Sequence, residues 1–172
     1  IRNAKVRMDR ESFDTQLWGG LISRPRTIAG AMAELGYFNL KEKDAPGRPT
    51  RNRNLHTVSA RVIRDPKAGK WDFEAESIYQ LGSTHSGLAA NAALLNVEAW
   101  FLHVDAGYTI PGPAKMRVSV EFDYASGDGS GARYGRFDSL FGMRRGDLAP
   151  SGIYNAVTRA NIITPGLRVE AA

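Results

Sequence analysis

Cysteine is absent from the 172 residues, which excludes a disulfide scaffold and thiolate zinc sites and leaves the compartment open. Histidine occurs only as His56, His85 and His103, too widely spaced for a local metal motif, so no metal site and no cofactor are expected. There is no apolar run of about 18 residues or more, and therefore no membrane-spanning helix. A membrane barrel is untouched by that absence, because its strands alternate and average out to a polar hydropathy. Helical periodicity is weak nearly everywhere. The opening stretch, IRNAKVRMDRE, has neither an initiating Met nor an apolar signal core, and we expect a mature piece or fragment of a longer chain.

A composition of 42% hydrophobic and 24% charged residues fits one folded domain. The formal charge of +5, carried mostly by arginine, is compatible with a polyanionic partner such as nucleic acid, acidic lipid or acidic polysaccharide, and also with none. No nucleic-acid motif accompanies it, and the aromatics fall on apolar rather than basic faces. No nucleic-acid partner is expected.

Period-two alternation is the dominant signal. In residues 116–125, Met116, Val118, Val120, Phe122 and Tyr124 oppose Arg117, Ser119, Glu121, Asp123 and Ala125. In WDFEAESIYQLG, Trp71, Phe73, Ala75, Ser77, Tyr79 and Leu81 oppose Asp72, Glu74, Glu76, Ile78 and Gln80. In AWFLHVDAGY, Trp100, Leu102, Val104, Ala106 and Tyr108 oppose Phe101, His103, Asp105 and Gly107. Further strands are expected at 13–23, 31–41, 55–64 and 162–172, about seven in all; Val58, Ala60 and Val62 oppose Thr57, Ser59 and Arg61 in the third of these. Pro165 and Gly166 predict a last strand that starts late, at an edge or with a bulge.

Two classes of connection alternate along the chain. Residues 25–30, 65–70 and 111–115 are short and carry the Pro and Gly of tight turns, whereas 42–54, 83–96 and 127–160 are long. Short turns on one rim and long loops on the other is the plan of an outer-membrane barrel, and the strands have the length of about 9–11 residues that a tilted crossing needs. Trp and Tyr at both ends of the apolar faces favour that plan, since they prefer the headgroup level. A soluble β-sandwich that binds acidic carbohydrate alternates in the same way and stays open as the alternative. Seven strands cannot close a bacterial barrel, and about eight to eleven more are expected from outside this sequence.

FDYASGDGSGARYGRFDSLFG resembles a block of the alginate export family of outer-membrane β-barrels, through Phe122 to Asp128 and Phe137 to Phe141, with Ser139 where Pro is usual. ESIYQLGS is similar to the family's Glu-x-x-Tyr-Gln-x-Gly strand through Glu76, Tyr79, Gln80 and Gly82, and NIITPGLRVE resembles the strand after the long loop. The likeness implies that residues 1–172 are part of an antiparallel up-and-down barrel of about eighteen strands, monomeric when full length, in the bacterial outer membrane. It also implies a basic lumen through which an anionic polysaccharide leaves the periplasm, contact with outer-membrane lipid, and periplasmic export components as further partners. A general porin of the same architecture is the second channel alternative.

Passage of an acidic polymer or small acid makes no bond, so no catalytic residue is expected; what it requires is arginines spaced along a wet path. Parity nominates Arg61, Arg117 and Arg168 as pore-lining, interspersed with Glu74, Glu76, Glu121 and Asp123, whose charge would weaken binding enough for release or salt-bridge the arginines. Glu74 and Glu76 lie about 7 Å apart on one strand face, whereas the carboxylates of a glycosidase usually come from different strands. At the long-loop rim the sequence offers Arg48, Arg51, Arg53, Arg133, Arg136, Arg144 and Arg145. SGDGSG lacks the Lys and helix of a phosphate loop and the ligands of a calcium loop. We expect positive φ at Gly127, Gly129 and Gly131 and backbone N–H groups donated to Asp128 after Ser126. Phe137, next to Asp138, should fold back over the barrel mouth with Leu140 and Phe141.

Overall fold

The computed structural model describes residues 13–129, 133–140 and 160–171. Gly131, Phe141, Arg144 and Arg145 lie outside the described residues. Every regular element among the described residues is a strand: β1 (Thr15–Arg24), β2 (Met32–Glu42), β3 (Asn54–Arg64), β4 (Trp71–His85), β5 (Leu94–Thr109), β6 (Arg117–Ala125), β7 (Arg133–Tyr134) and β8 (Ile162–Glu170). They form one sheet in the order β1-β2-β3-β4-β5-β6-β8, with antiparallel neighbours throughout. β1 and β8 stand at the two ends of that path. The fold is thus all-β, antiparallel and up-and-down.

Three departures from the sequence expectation have local causes. The eighth strand, β7, is a two-residue piece inside the long 127–160 connection, paired in parallel with β5. β4 runs on to His85 and β5 starts at Leu94, so the 83–96 loop shrinks to residues 86–93. Ser83↔Asn96 and Thr84↔Leu95 continue the ladder there, since a partner strand satisfies backbone groups that weak alternation could not announce. β8 begins at Ile162, ahead of Pro165, and not late. It lies at the end of the sheet, where a missing N–H is tolerated.

The register carries the alternation coherently from strand to strand. Trp71, Trp100, Leu102, Val104, Val118, Val120, Phe122, Tyr124, Leu167 and Val169 share one face and are exposed on it. Aromatic pairs sit near its ends: Trp71 with Tyr108 at 5.3 Å between ring centroids, Tyr79 with Trp100 at 4.1 Å, and Trp18 with Tyr37 at 5.4 Å. Trp71 and Tyr79 are separated by about 27 Å along β4, or about 20 Å of height at a tilt of about 40°, close to the apolar band of an outer-membrane barrel. A continuous exposed apolar face of this kind marks an interaction surface rather than an ordinary water-facing one.

Apart from Asn39 on β2, the buried strand residues lie on the opposite, polar face. Ala99, Phe101, Ala125 and Phe137 form one cluster with Ile78 and Ile162 against it, and Leu40, Leu55 and Val97 form a second with Tyr134 and Leu140. Both clusters lie toward the long-loop end.

Candidate functional site

Toward the short-turn end, the polar face is a lattice of ion pairs. The register aligns Glu34, Arg61, Glu76, His103 and Asp123 in one row across β2 to β6, with Glu74, Asp105 and Glu121 in the next. Arg61 donates through Nε to Glu74 at 2.7 Å and through Nη1 to Glu34 at 3.1 Å. Arg168 on β8 donates to Glu121 at 2.9 Å, and His103 Nδ1 lies 2.8 Å from Asp123 Oδ1. Opposite charges on directly facing or diagonal positions of neighbouring strands are within reach of such side chains.

Arg117 reaches furthest. It donates from Nε to Asp72 at 2.9 Å and from Nη1 to Ser119 Oγ at 2.9 Å, and its Nη2 meets both Asp72 and Asp105. Asp72 is two strands away on β4, and the intervening position on β5 is Gly107. A Cβ there would stand 2.6 Å from Arg117 Nη2, so the missing side chain is the channel through which the guanidinium passes. Asp72 is 2% exposed, and its second oxygen has no hydrogen-bond partner. A cavity of about 210 Å³ opens here, lined by Asp72, Glu74, His103, Asp105, Arg117 and Arg168 among others.

Toward the long-loop end, Arg133 and Tyr134 pair edge-on with β5, and residues 137–140 lie on the polar face itself. Phe137 is buried, its ring stacked on Phe101 at 5.4 Å. Gln80, fully buried on β4, gives its amide to Asp138 O at 2.7 Å and accepts Asp138 N–H at 3.0 Å. Arg53 pairs with Glu42 at 2.7 Å and with the Asp138 carboxylate. Hydrogen bonding to Glu42 is the largest influence on the Arg53 guanidinium; it and the Asp138 charge outweigh burial and hold its pKa above the ordinary value. In the neighbouring loop, Asp44 accepts Thr50 N–H at 2.6 Å, which lowers its carboxyl below the usual range. A second cavity, of about 200 Å³, lies between Arg51, Arg53, Thr84, Tyr134 and Arg136.

Arg61, Arg117, Arg168, Glu74, Glu76, Glu121 and Asp123 all fall on this one face. On the strands the face holds those three arginines against the carboxylates of Glu34, Glu42, Asp72, Glu74, Glu76, Asp105, Glu121, Asp123 and Glu170. Among the described residues this face is therefore not the basic surface that the family resemblance implied. Ser126 accepts Trp100 N–H through Oγ at 2.7 Å, and its carbonyl accepts from Phe137 and Asn161. Gly127 and Gly129 do not adopt positive φ. Gly127 is required for closeness instead, because a Cβ would collide with the Asn161 side chain. Asp128 accepts Arg136 N–H at 3.2 Å, and Arg133 pairs with Glu98 at 2.8 Å.

Sequence reasoning did not nominate Asp72, Asp105 or Glu34 and named Gln80 only as a motif residue, although all share the parity that nominated the arginines. Donor atoms of His103, Glu121 and Asp123 approach within 4.8 Å of one another. Glu121 is taken by Arg168 and Asp123 by His103, so the grouping reads as ion pairing.

Long antiparallel strands in sequential order, with one aromatic-banded apolar face left uncovered and one ion-paired polar face, define an all-β sheet of the outer-membrane type. The family model described as alginate export matches residues 2–171, and the chain belongs to that family. The family is one of outer-membrane export proteins rather than enzymes. No curated protein and no solved structure matches the chain significantly.

Proposed function

We propose that this sheet is a section of the wall of a closed outer-membrane barrel that conducts its cargo passively. The apolar face meets lipid, the polar face lines the lumen, and the long loops face outside. The observation that carries this is the division of the faces: the aromatic-banded hydrophobic side stays exposed along the sheet while arginines and carboxylates gather on the other. The cargo is an anionic polysaccharide or a small acid, engaged by Arg61, Arg117 and Arg168 in the lumen and by Arg51, Arg53 and Arg136 toward the outer mouth. Interspersed carboxylates keep each contact weak enough for release. Periplasmic export components would deliver a polymer, and the full-length barrel would act as a monomer.

One observation favours a general porin as the second reading. Each of the three strand arginines is already engaged by carboxylates, which leaves little free positive charge at that height.

Ion selectivity and block by uronate oligomers, measured on the full-length protein in a planar bilayer, separate the two. Anion-selective currents that the oligomers block, with block weakened by Arg61→Ala, support the acidic cargo. Unselective, unblocked currents leave the porin. A protein that gives no current and stays soluble without detergent would return the soluble sandwich.

A further inference from the structure

The three strand arginines of the polar face are held by carboxylates, whereas the cations of the short-turn rim are not. Strands β2 and β3 are joined at the opposite end, so at this rim they run into different turns, residues 25–30 and 65–70. The first turn closes on itself: Thr27 N–H donates to Ala31 O at 2.8 Å, and Ala31 N–H to Ile28 O at the same distance. The second leans away toward β5, where Gly69 N–H donates to Thr109 O at 2.8 Å and Ala68 bridges to Thr109. Among the described residues no backbone hydrogen bond joins the two turns. Between them lies a notch of about 460 Å³, the size of a small-ligand site. Its lining mixes the two sides of the sheet. Arg64, paired with Phe73, has the parity of the apolar face, whereas Met32 and Ile63 have that of the polar one. The notch therefore passes through the rim instead of indenting one face.

Arg26, Arg64, Lys67 and Lys70 line it, against the single carboxylate of Asp65. Arg24, exposed on the apolar face at the end of β1, adds a cation immediately before Pro25 of the notch. Cations gathered in this way repel one another, and an anion among them relieves the repulsion. Apolar surface leads away from the notch on the membrane side. Ile22 and Leu35 face each other across β1 and β2, 75% and 63% exposed, and Ile28 in the first turn is exposed as well. Trp71, diagonal to Arg64 and on the same side, pairs with Tyr108 at the depth where such rings meet lipid headgroups. A soluble phosphate or an acidic polymer would engage the cations and leave the apolar track unused. A phospholipid uses both.

We propose that the notch binds the phosphate diester of an anionic glycerophospholipid, with Arg26, Arg64 and Lys67 on the phosphate and Ile22 and Leu35 along the acyl chains. Guanidinium forks suit phosphate oxygens, and basic pockets at the membrane surface are a recurrent means of holding such headgroups. The site lies in the leaflet on the short-turn side, at the opposite end of the strands from the long loops. It rests on the outer-membrane reading above.

The test uses the full-length protein in phosphatidylcholine vesicles that carry a trace of spin-labelled phosphatidylglycerol or spin-labelled phosphatidylcholine, and reads the motionally restricted fraction of each. The wild type should prefer phosphatidylglycerol. Arg26→Gln, Arg64→Gln and Lys67→Gln should each lower that preference about five-fold, the value of one cation near an anionic membrane surface. Lys115→Gln, on the neighbouring turn and outside the notch, should leave it unchanged. Arg26 and Lys67 are exposed, so their variants report on the site even where the half-buried Arg64 is needed for folding. A preference that survives the Arg26 and Lys67 substitutions, or one that Lys115→Gln lowers equally, overturns the site. Abolition of the preference by millimolar glycerol phosphate would make the occupant a soluble phosphate and overturn the lipid assignment. Restricted phosphatidylcholine without any preference overturns the site alone, whereas no restricted lipid of either kind overturns the membrane reading on which it rests.

Discussion

Replacing Arg117 with Ala should cost the fold about 3–5 kcal/mol, the range for removing one partner of a buried ion pair. The Arg117 side chain is 13% exposed, between Asp72 at 2% and Asp105 at 14%. Truncation leaves two carboxylates facing each other without a cation, and one oxygen of Asp72 already lacks a donor. Arg117→Lys keeps the charge but loses the fork that serves Asp72, Asp105 and Ser119 together, so its loss should be intermediate. Asp72→Asn in the Arg117→Ala background should recover part of the stability, with a coupling energy of about 0.5–3 kcal/mol. Gly107→Ala should mimic the defect from below, at about 1–3 kcal/mol, because its methyl would stand where the guanidinium passes. The assay is the urea midpoint of the full-length protein folded in lipid vesicles, followed by tryptophan fluorescence. A midpoint for Arg117→Ala within about 0.5 kcal/mol of wild type would refute the reasoning, since that is the range of a solvated surface substitution.

Val104→Arg places a charge midway between the aromatic ends of β5 and should cost about 2–4 kcal/mol in lipid; a neutral or solubilising effect on bilayer folding would show that this face meets water. Gly82→Ala should separate β3 from β4, because φ is 140° at Gly82 and a Cβ would collide with the Asn54 carbonyl; a loss of about 1–3 kcal/mol in the urea midpoint is expected. The depressed carboxyl of Asp44 fixes a pH window for the 42–54 loop. Its folded value lies below its unfolded one, so its contribution is complete above the unfolded pKa and disappears only as the pH falls through the folded one. Protection of the Thr50 amide in hydrogen exchange should therefore persist at neutral pH, fade in strong acid, and be lost at all pH values in Asp44→Ala.

Within single strands the sequence was a sound guide. Alternation separated Val118, Val120 and Phe122 from Arg117, Ser119 and Glu121, and Trp71 from Asp72, because successive side chains on a pleated strand must point to opposite faces. The same parity placed Arg61, Arg117 and Arg168 together. It misjudged the upper ends of β4 and β5, where Gly82, Ser83 and Thr84 carry no pattern and only the partner strand keeps the ladder going. The glycines after Ser126 suggested torsional freedom, whereas Gly127 is needed for its closeness to Asn161.

Amino-acid order by itself determined which side of each strand is apolar, where the turns fall, and that the chain is all-β, since each depends on neighbours a few residues apart. Only the tertiary structure decided who meets whom across strands. Arg117 finds Asp72 forty-five positions away by passing over Gly107, and Asp138 finds Gln80 and Arg53 by lying down on the polar face. Those contacts are set by register and by the docking of a loop, where a single-residue shift would exchange every face. Local alternation carries no information about which strand lies alongside.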